Sequence, residues 1–524
     1  MAGRGRLVYD GTAMEQIDRR QLLVRGGRVT AGVGITSQAG WIGLASGGSV
    51  PSLSSLRAAV KGRVVGRGDR GYRVARQPFN ARFDSVAPLA IVYCEDASDV
   101  AATICWSRAH RVDVVARNGG HSYGGYSTTR GVVADVSRLN ALRVDARAGT
   151  ARVGAGKLLI DLYAGLARHG RVVPAGTCPT VGVTGLALGG GVGLSSRKFG
   201  LTCDNLLGLE MVTAGGELVH CDERHHPDLL WASRGGGGGN FGIVTALHLR
   251  THPVDRVSTY QLRWPWSDAA AVIDAWQRLA PHAPDDLTAV CKLVSVRPPG
   301  SRRPPVIESY GQYYGSSDEL AMLIEPLIGV GQPMLRQLAT VPFLQAALTW
   351  ALCKDATVAE CRLPTQNPHG IVPRTAFRNK SNYITEPLGR RAIETALTWM
   401  ERWPGSSDPI GGSLQLNADG GAVNRVPPAA TAFVHRDDLF HAQFIGHWTP
   451  RDPPRVARSV QQWVRGFHAA MRPFTSSFAY QDYIDPELRD WRHAYYGTNY
   501  ERLTRIKRRY DPDNVFHFAQ SIGA

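Results

Sequence analysis

An α+β fold in two domains is what this sequence predicts, and three observations carry that reading. The chain has 524 residues, more than a single hydrophobic core usually holds. From Leu89 onward, short apolar segments rich in Val and Ile alternate with helical patterns. After about Pro253 the Gly-rich turns thin out and long amphipathic helices take over, a change of texture expected at a domain boundary.

The elements follow in order. Leu89–Tyr93 reads as a strand, followed by a helix capped by Asp96 or Ser98 and running to Arg108, then a strand over Val112–Ala116. Val132–Val136, Leu142–Asp145 and Ala151–Val153 are further strands, each carrying Val between turn-prone residues, and Leu158–Arg168 is a helix. Leu206–Val219 reads as two strands around Gly215-Gly216, a dipeptide suited to a hairpin turn. A Gly-rich loop, Gly235–Gly239, then leads into Phe241–Arg250. In the second half, Ala269–Leu279, Leu320–Ile328 and Arg390–Arg402 have helical periodicity, while Leu287–Val296 and Ala430–Val434 read as strands. Arg297–Pro305 and Pro450–Pro454 are Pro-rich surface loops, and the chain ends with a helix from Tyr495 followed by an Asp-Pro turn at Asp511-Pro512.

Composition is that of an ordinary globular protein, 43% hydrophobic and 20% charged, with a net charge of +16. The densest basic stretch, Lys61–Arg82, alternates with Gly and apolar residues and reads as a solvated surface, so a nucleic-acid partner is not expected. The eight cysteines are scattered with no Cys-x-x-Cys pair, so no metal site is expected and no disulfide pairing is assigned. The adjacent histidines His225 and His226, and the run His435–Asp438, lack further ligands at metal-binding spacing. Residues 1–46 hold Asp18-Arg19-Arg20-Gln21-Leu22-Leu23 and a weakly apolar stretch, Val29–Ala45, the pattern of a twin-arginine export signal. That leader carries six Arg and three acidic residues, so the basic character is not its doing. No other stretch reaches the roughly eighteen apolar residues of a membrane span. Oligomeric state is not readable.

Two Gly-rich turns each place one nucleophile. His121 lies in Arg117-Asn118-Gly119-Gly120-His121-Ser122-Tyr123-Gly124-Gly125-Tyr126-Ser127, and Cys178 in Gly176-Thr177-Cys178-Pro179-Thr180-Val181-Gly182. The first follows a strand and offers consecutive backbone N–H groups with no Cβ at two positions, a nest suited to a diphosphate. A conventional dinucleotide fingerprint over Gly191–Ser196 fails on context, because Ser196 replaces the third Gly and Glu210 sits on a hairpin strand where a βαβ unit needs a crossover.

The runs Arg117–Ser127, Gly176–Gly200 and His226–Ile243, with the ending Tyr480-Gln481-Asp482-Tyr483, Asn499 and Tyr510–Phe516, resemble the berberine-bridge-enzyme-like FAD-linked oxidases of the vanillyl-alcohol-oxidase superfamily. The likeness is strong over Val86–Arg250 and good over Phe478–Ile522; the middle is similar only in texture. It implies a PCMH-type FAD-binding domain in two parts, residues 84–255 and the C-terminal segment 471–524, around an α+β substrate domain, 256–470, whose antiparallel sheet covers the flavin. It also implies FAD bonded through His121 to the 8α-methyl carbon and through Cys178 to C6. Two such bonds should raise the flavin's potential and let the site stay open, because the cofactor cannot leave. By the same resemblance Asn118, Gly119, Gly120 and Ser122 hold the diphosphate, while Gly182, Thr184, Gly185, Gly193 and Ile243 follow the ring and ribityl chain. Asn499 belongs to the cofactor set through the C-terminal signature. Val181 occupies the oxygen-gate position, where Val is similar to oxidases, so O₂ is the expected acceptor.

Hydride leaves a carbon readily only if a base takes the neighbouring proton. The resemblance points to Tyr480, with Tyr483 as the second Tyr of the motif. This chain carries Asp482 where the family has Asn, and on a strand Tyr480 and Asp482 share a face, so the carboxylate either bonds the phenol or opposes its ionisation. The expected reaction is oxidation of an alcohol or sugar hydroxyl, giving hydrogen peroxide. Oxidative cyclisation or desaturation of a natural product, and sequestration of a small molecule without turnover, are the competing readings.

Overall fold

The computed structural model describes residues 51–523; the twin-arginine motif and the apolar stretch after it lie outside them. Asp96 starts the helix Ala97–Ala109 by accepting hydrogen bonds from the N–H groups of Ser98 and Asp99, two of the donors that a helix N-terminus leaves over. That helix joins β2 (Ala90–Tyr93) to β3 (Val114–Arg117). β4 (Val132–Asp135) lies between them, parallel to both, and β1 (Val64–Gly66) runs antiparallel along the free edge of β2. β1 is three residues among basic and Gly neighbours, too short to show a period.

At the end of β3, Arg117 donates through Nε to Asp135 of β4 at 2.8 Å and through Nη2 to the carbonyl of Ala75 at 2.6 Å. The two side chains are 5% and 6% exposed. Removing one partner of such a pair would strand a buried charge at a cost of about 3–5 kcal/mol, so the point where the chain leaves the sheet for the Gly-rich loop is firmly fixed.

A second sheet is antiparallel throughout. It comprises β5 (Leu142–Asp145), β6 (Thr150–Gly154), β8 (Leu206–Val212), β9 (Leu218–Cys221) and β10 (Ile243–Arg250) in the order β5-β6-β10-β8-β9, while β7 (Arg171–Val172) pairs with β11 (His252–Pro253). The hairpin predicted at Gly215-Gly216 is present, with Gly216 at φ +84°. Glu210 lies on β8 and bonds Arg152 at 2.7 Å through both carboxylate oxygens, a surface ion pair on an antiparallel strand.

The third sheet has seven antiparallel strands: β12 (Arg256–Trp264), β13 (Leu287–Ser295), β14 (Val306–Tyr313), β15 (Leu335–Pro342), β16 (Ala376–Ile384), β17 (Gly412–Ala418) and β18 (Phe440–Trp448), in the order β15-β12-β14-β13-β17-β18-β16. Alternation gives it two unlike faces. Tyr260, Leu262, Leu293, Leu416 and Phe444 pack against Val272, Trp276, Ile393, Val460 and Phe467 of the helices Ala269–Leu279, Arg390–Glu401 and Pro454–Met471. Lys292, Gln415, Asn417, His441 and Gln443 fall on the other face. A separate apolar core joins the first two sheets to the C-terminal segment, with Ala479, Ile484, Tyr496, Leu503 and Phe516 among its members. Lys507 clasps that segment in place, donating to Asp511 and to the carbonyls of Asn240 and Phe516.

Three expectations change. Ala430–Val434 is loop rather than strand, because its carbonyls are taken up by the Asn499 side chain instead of a neighbouring strand. The helix expected over Leu320–Ile328 breaks at Ile324, where Pro326 opens a new turn. Tyr480–Asp482 is not a strand: Gln481–Tyr483 forms a single 3₁₀ turn. Cys353 and Cys361 are joined in a disulfide, and the other six cysteines are free.

Candidate functional site

The site begins where two glycine-rich loops touch. A Cβ on Gly119 would stand 2.4 Å from the carbonyl oxygen of Thr180 and 2.6 Å from the nitrogen of Gly182, and one on Gly182 would stand 2.3 Å from the Asn118 side chain. Only backbone without Cβ atoms can approach this closely. The second loop is held from behind by the helix Leu159–Ala167, whose first N–H groups donate to the carbonyls of Val181 (3.0 Å, from Leu159) and Pro179 (3.2 Å, from Ile160). These are donors that a helix start leaves unpaired.

His121 is fixed by this contact. Its Nε2 lies 2.9 Å from Thr180 Oγ1, and its ring stacks on Phe79 with centroids 3.8 Å apart. Burial pushes its pKa down to about 3, so the imidazole is neutral at physiological pH. Cys178 opens onto the same cavity as His121. The surrounding walls push its thiol up, and the charge of Lys292 works in the opposite direction.

The cavity continues along the first loop past Asn118, Gly120, Ser122, Tyr123 and Tyr126, and along Val181, Gly182, Thr184 and Gly185. Gly238, Gly239 and Ile243 close one side, and Tyr480–Ile484 with Phe518 close another. Tyr483 stacks on Tyr123 with centroids 5.5 Å apart, and the rings of Tyr480 and Tyr483 meet edge to face at 4.9 Å.

Tyr480 is bonded on every side. Its hydroxyl oxygen accepts from the N–H groups of Gly191 (2.8 Å) and Val192 (3.1 Å) and donates to Asp482 Oδ2 at 2.7 Å. Burial holds the Tyr480 and Tyr483 phenols well above their ordinary range. Burial also pushes Asp482 up to about 7, against the hydrogen bonds from Tyr480 and Gly191 that favour its charged form. A Cβ on Gly189 would lie 2.0 Å from Asp482 Oδ1, so the carboxyl has its place only because residue 189 is Gly.

Residues 88–222 match a family described as an FAD binding domain, and residues 479–523 one described as berberine and berberine like. Over 471 residues the chain is 36% identical to YgaK, an uncharacterized FAD-linked oxidoreductase of Bacillus subtilis, covering 89% of this chain and 98% of the relative. It is 30% identical to the berberine bridge enzyme-like protein Cyn d 4 of Cynodon dactylon, covering 84% and 85% of the two. This chain belongs to the berberine bridge enzyme-like family of FAD-linked oxidoreductases. The solved structure of Physcomitrella patens BBE-like 1 superposes with a TM-score of 0.80 at 31% identity, over 90% of this chain and 99% of that one. Phl p 4, a grass pollen allergen described as having glucose dehydrogenase activity, superposes with a TM-score of 0.78 at 27% identity, over 90% and 98%. Membership in an oxidoreductase family sets aside the reading of a non-catalytic sequestering protein.

As a berberine bridge enzyme-like chain it should hold FAD, and the cavity suits that cofactor. A Cβ on Gly185 would meet nothing within 4 Å, and one on Gly238 nothing nearer than 3.8 Å, so both glycines leave open space where a flat ring system needs it. Of the residues expected at the cofactor, Asn118, Gly119, Gly120, His121, Ser122, Cys178, Val181, Gly182, Thr184, Gly185 and Ile243 line the cavity, as do Tyr480, Asp482 and Tyr483. Gly193 and Asn499 are not among the lining residues. A Cβ on Gly193 would lie 1.7 Å from the carbonyl of Ala175, so this glycine serves a close backbone crossing. Asn499 holds the loop at Pro428–Ala432 through its side-chain amide. Tyr126, Gly238, Gly239 and Phe518 line the cavity without having been singled out; Tyr126 lies within the Arg117–Ser127 run, and Gly238 and Gly239 lie within the Gly-rich loop Gly235–Gly239. Among the described residues no three His, Cys, Asp or Glu side chains converge as metal ligands, and no helix is long and apolar enough to cross a membrane.

The Asp482 environment has a measurable consequence. Between about pH 4 and pH 7 the folded chain holds a proton there that the unfolded chain has released, so stability falls as pH rises through that window. Asp482→Asn removes the ionisation while keeping an acceptor for Tyr480. The variant should gain about 4 kcal/mol at most relative to wild type at pH 8 and nothing at pH 4, read from urea midpoints at the two pH values.

Proposed function

We propose that this protein is an oxidase that removes hydride from a hydroxyl-bearing carbon of an alcohol or sugar, using FAD bonded to both His121 and Cys178 and passing the electrons to O₂ to give hydrogen peroxide. The observation that carries the reading is the placement of a neutral imidazole and a cavity-facing thiol on the walls of one Gly-lined cavity. Thr180 occupies His121 Nε2, which leaves Nδ1 as the nitrogen available for the bond. FAD bound here supplies the two-electron acceptor for the hydride.

The proton that leaves the substrate hydroxyl goes to Asp482. The phenol of Tyr480 already accepts two N–H bonds and donates its own proton, so its donor and both acceptor positions are filled. Asp482 lines the cavity with a pKa near neutrality, the poise a general base requires. Tyr480 then acts as a positioning residue: it and Gly191 fix Oδ2, and the other carboxylate oxygen meets the substrate. Tyr483, stacked on Tyr123, forms a wall. Val181 supports O₂ as acceptor, since a small side chain at the gate leaves a path; an Ile-to-Val variant of Phl p 4 is described as a glucose oxidase, whereas Phl p 4 itself is described as having glucose dehydrogenase activity. The carboxylate at 482 also favours a second reading, oxidative cyclisation or desaturation, in which the same group takes a proton from the substrate.

Export through the twin-arginine route is part of this reading. Asp18-Arg19-Arg20-Gln21-Leu22-Leu23 supports it, as does the Cys353–Cys361 disulfide, a bond that persists in oxidising compartments. Replacing both Arg19 and Arg20 by Lys should retain the protein inside the cell; unchanged export would sink this part.

A panel of alcohols and sugars, scored by peroxide release and by product structure, tests the reaction. A carbonyl or lactone product with stoichiometric peroxide is expected. The rate should rise with pH through about 7 as Asp482 ionises, and Asp482→Asn should lower it by about 10²–10⁴, the range of a general base, whereas Tyr480→Phe should cost less. Val181→Leu should slow reoxidation by O₂ and leave flavin reduction unchanged. A cyclised or desaturated product would select the second reading; a panel that never reduces the flavin would overturn both.

A further inference from the structure

The substrate class is legible in the cleft-facing side of the seven-stranded sheet. On β13, Cys291 and Leu293 are fully buried in the helix-side core, so Lys292 between them projects to the opposite side. Across the sheet its neighbours on that side are Glu308 of β14 and Gln415 of β17, and Gln415 is followed by Gln443 of β18. The row adjoins the cavity wall at Gln443, which donates to the hydroxyl of Tyr123 at 3.3 Å, and Tyr123 lines the cavity beside Tyr483. Tyr310, on the same side, donates to Gln415 Oε1 at 3.4 Å.

Lys292 stands in this polar row without an ion pair among the described residues. Its neighbour Glu308 is engaged from the other side by Arg263 at 3.2 Å, and Asp482 is held by Tyr480 and Gly191. Its charge is felt at Cys178, whose thiol it draws down, and at His447, which burial with help from Lys292 pushes to about 3. Near Cys178 the sheet therefore carries Lys292, a cation without an ion pair among the described residues, in a row with the amide groups of Gln415 and Gln443 and the phenols of Tyr123 and Tyr310.

We propose that Lys292 is a specificity-determining residue and that the substrate is a polyhydroxylated molecule carrying an anionic group, with its hydroxyls on the amide–phenol row and its anion on Lys292. The assignment rests on the oxidase reading above and narrows its substrate class. Chemistry at the reacting carbon is unchanged: the C–H pair leaves as hydride, the hydroxyl proton goes to Asp482, and the anion is a spectator that binds. An unpaired half-buried ammonium gains from a carboxylate or phosphate what it lacks within the protein.

The test uses flavin-loaded enzyme and three probes that share one sugar: D-glucose, D-glucuronate and the phosphate monoester of glucose. Anaerobic bleaching of the flavin is followed per bound flavin, and binding is followed separately by equilibrium dialysis. An anionic probe should bleach the flavin with kcat/KM about tenfold or more above glucose, with the difference in KM. Lys292→Gln should erase that preference, with the loss of kcat/KM for the anionic probes exceeding the loss for glucose by about tenfold, and Lys292→Arg should restore it, since charge is what matters. In wild type, KM for the anionic probe should rise with ionic strength and KM for glucose should not. A preference for glucuronate over the phosphate, or the reverse, identifies which anion the cleft takes. Equal use of neutral and anionic probes, or equal losses for both in Lys292→Gln, would overturn the assignment while leaving the oxidase intact. Binding of an anionic probe that depends on Lys292 but never bleaches the flavin would keep the assignment and overturn the oxidase.

Discussion

The backbone contact between Asn118–His121 and Thr180–Gly182 is the constraint on which the rest of the site depends. Gly119 and Gly182 allow it, since a Cβ at either position would fall within about 2.6 Å of the opposing loop. Everything chemical in the cavity follows from that approach. It brings Thr180 to His121 Nε2, sets Cys178 and Val181 around the same cavity as the imidazole, and is braced from two sides. Arg117 with Asp135 anchors the first loop at the end of the parallel strands, and the start of the helix Leu159–Ala167 anchors the second. The loops carry the chemistry while buried, hydrogen-bonded elements supply their rigidity.

Burial then divides the titratable groups. His121 is kept neutral and so keeps a lone pair; the tyrosines are kept protonated; Asp482 is brought near neutrality. In the proposed reaction the carboxyl at position 482, rather than the phenol of Tyr480, takes the proton. Because Tyr480 is saturated by Gly191, Val192 and Asp482, the carboxylate is left as the group with a free oxygen, and the same hydrogen bonds that fill the phenol hold the carboxylate in place.

Much of the first half was legible in the sequence because its signals are local. The strands and helices predicted between Leu89 and Arg250 fall within one or two residues of their limits, whereas the short helices Val183–Gly189, Ser196–Phe199 and Pro227–Ser233 were not foreseen; the Gly-rich runs marked both loops, since a requirement for no Cβ is written in the residue itself. The seven-stranded sheet was mostly hidden. In β16 the run Ala376-Phe377-Arg378-Asn379-Lys380-Ser381-Asn382-Tyr383-Ile384 is buried at all nine positions, yet it reads as polar. One of its faces is closed by the helices and the C-terminal acids Asp485 and Glu487, which pair with Lys380 and Arg378, and the other by the aromatic floor of the cavity. Hydrophobic alternation cannot announce a strand whose two faces both bury polar groups. Gly193 and Asn499 lie off the cavity lining for a related reason: a motif gives residue types, whereas the contact that a glycine or an amide makes at a given position, a crossing at Ala175 or a loop at Pro428–Ala432, exists only in three dimensions.

The central claim is that the loop contact presents two residues to one flavin and that both bond it. Acid-denatured, purified protein separates bound from released flavin, with intact mass as the readout for wild type, His121→Ala, Cys178→Ala and the double variant. The account predicts that wild type and each single variant retain the mass of one FAD through denaturation and that only the double variant releases it. Wild-type protein that is folded and yellow before acid, but whose polypeptide carries no flavin mass afterwards, would contradict it.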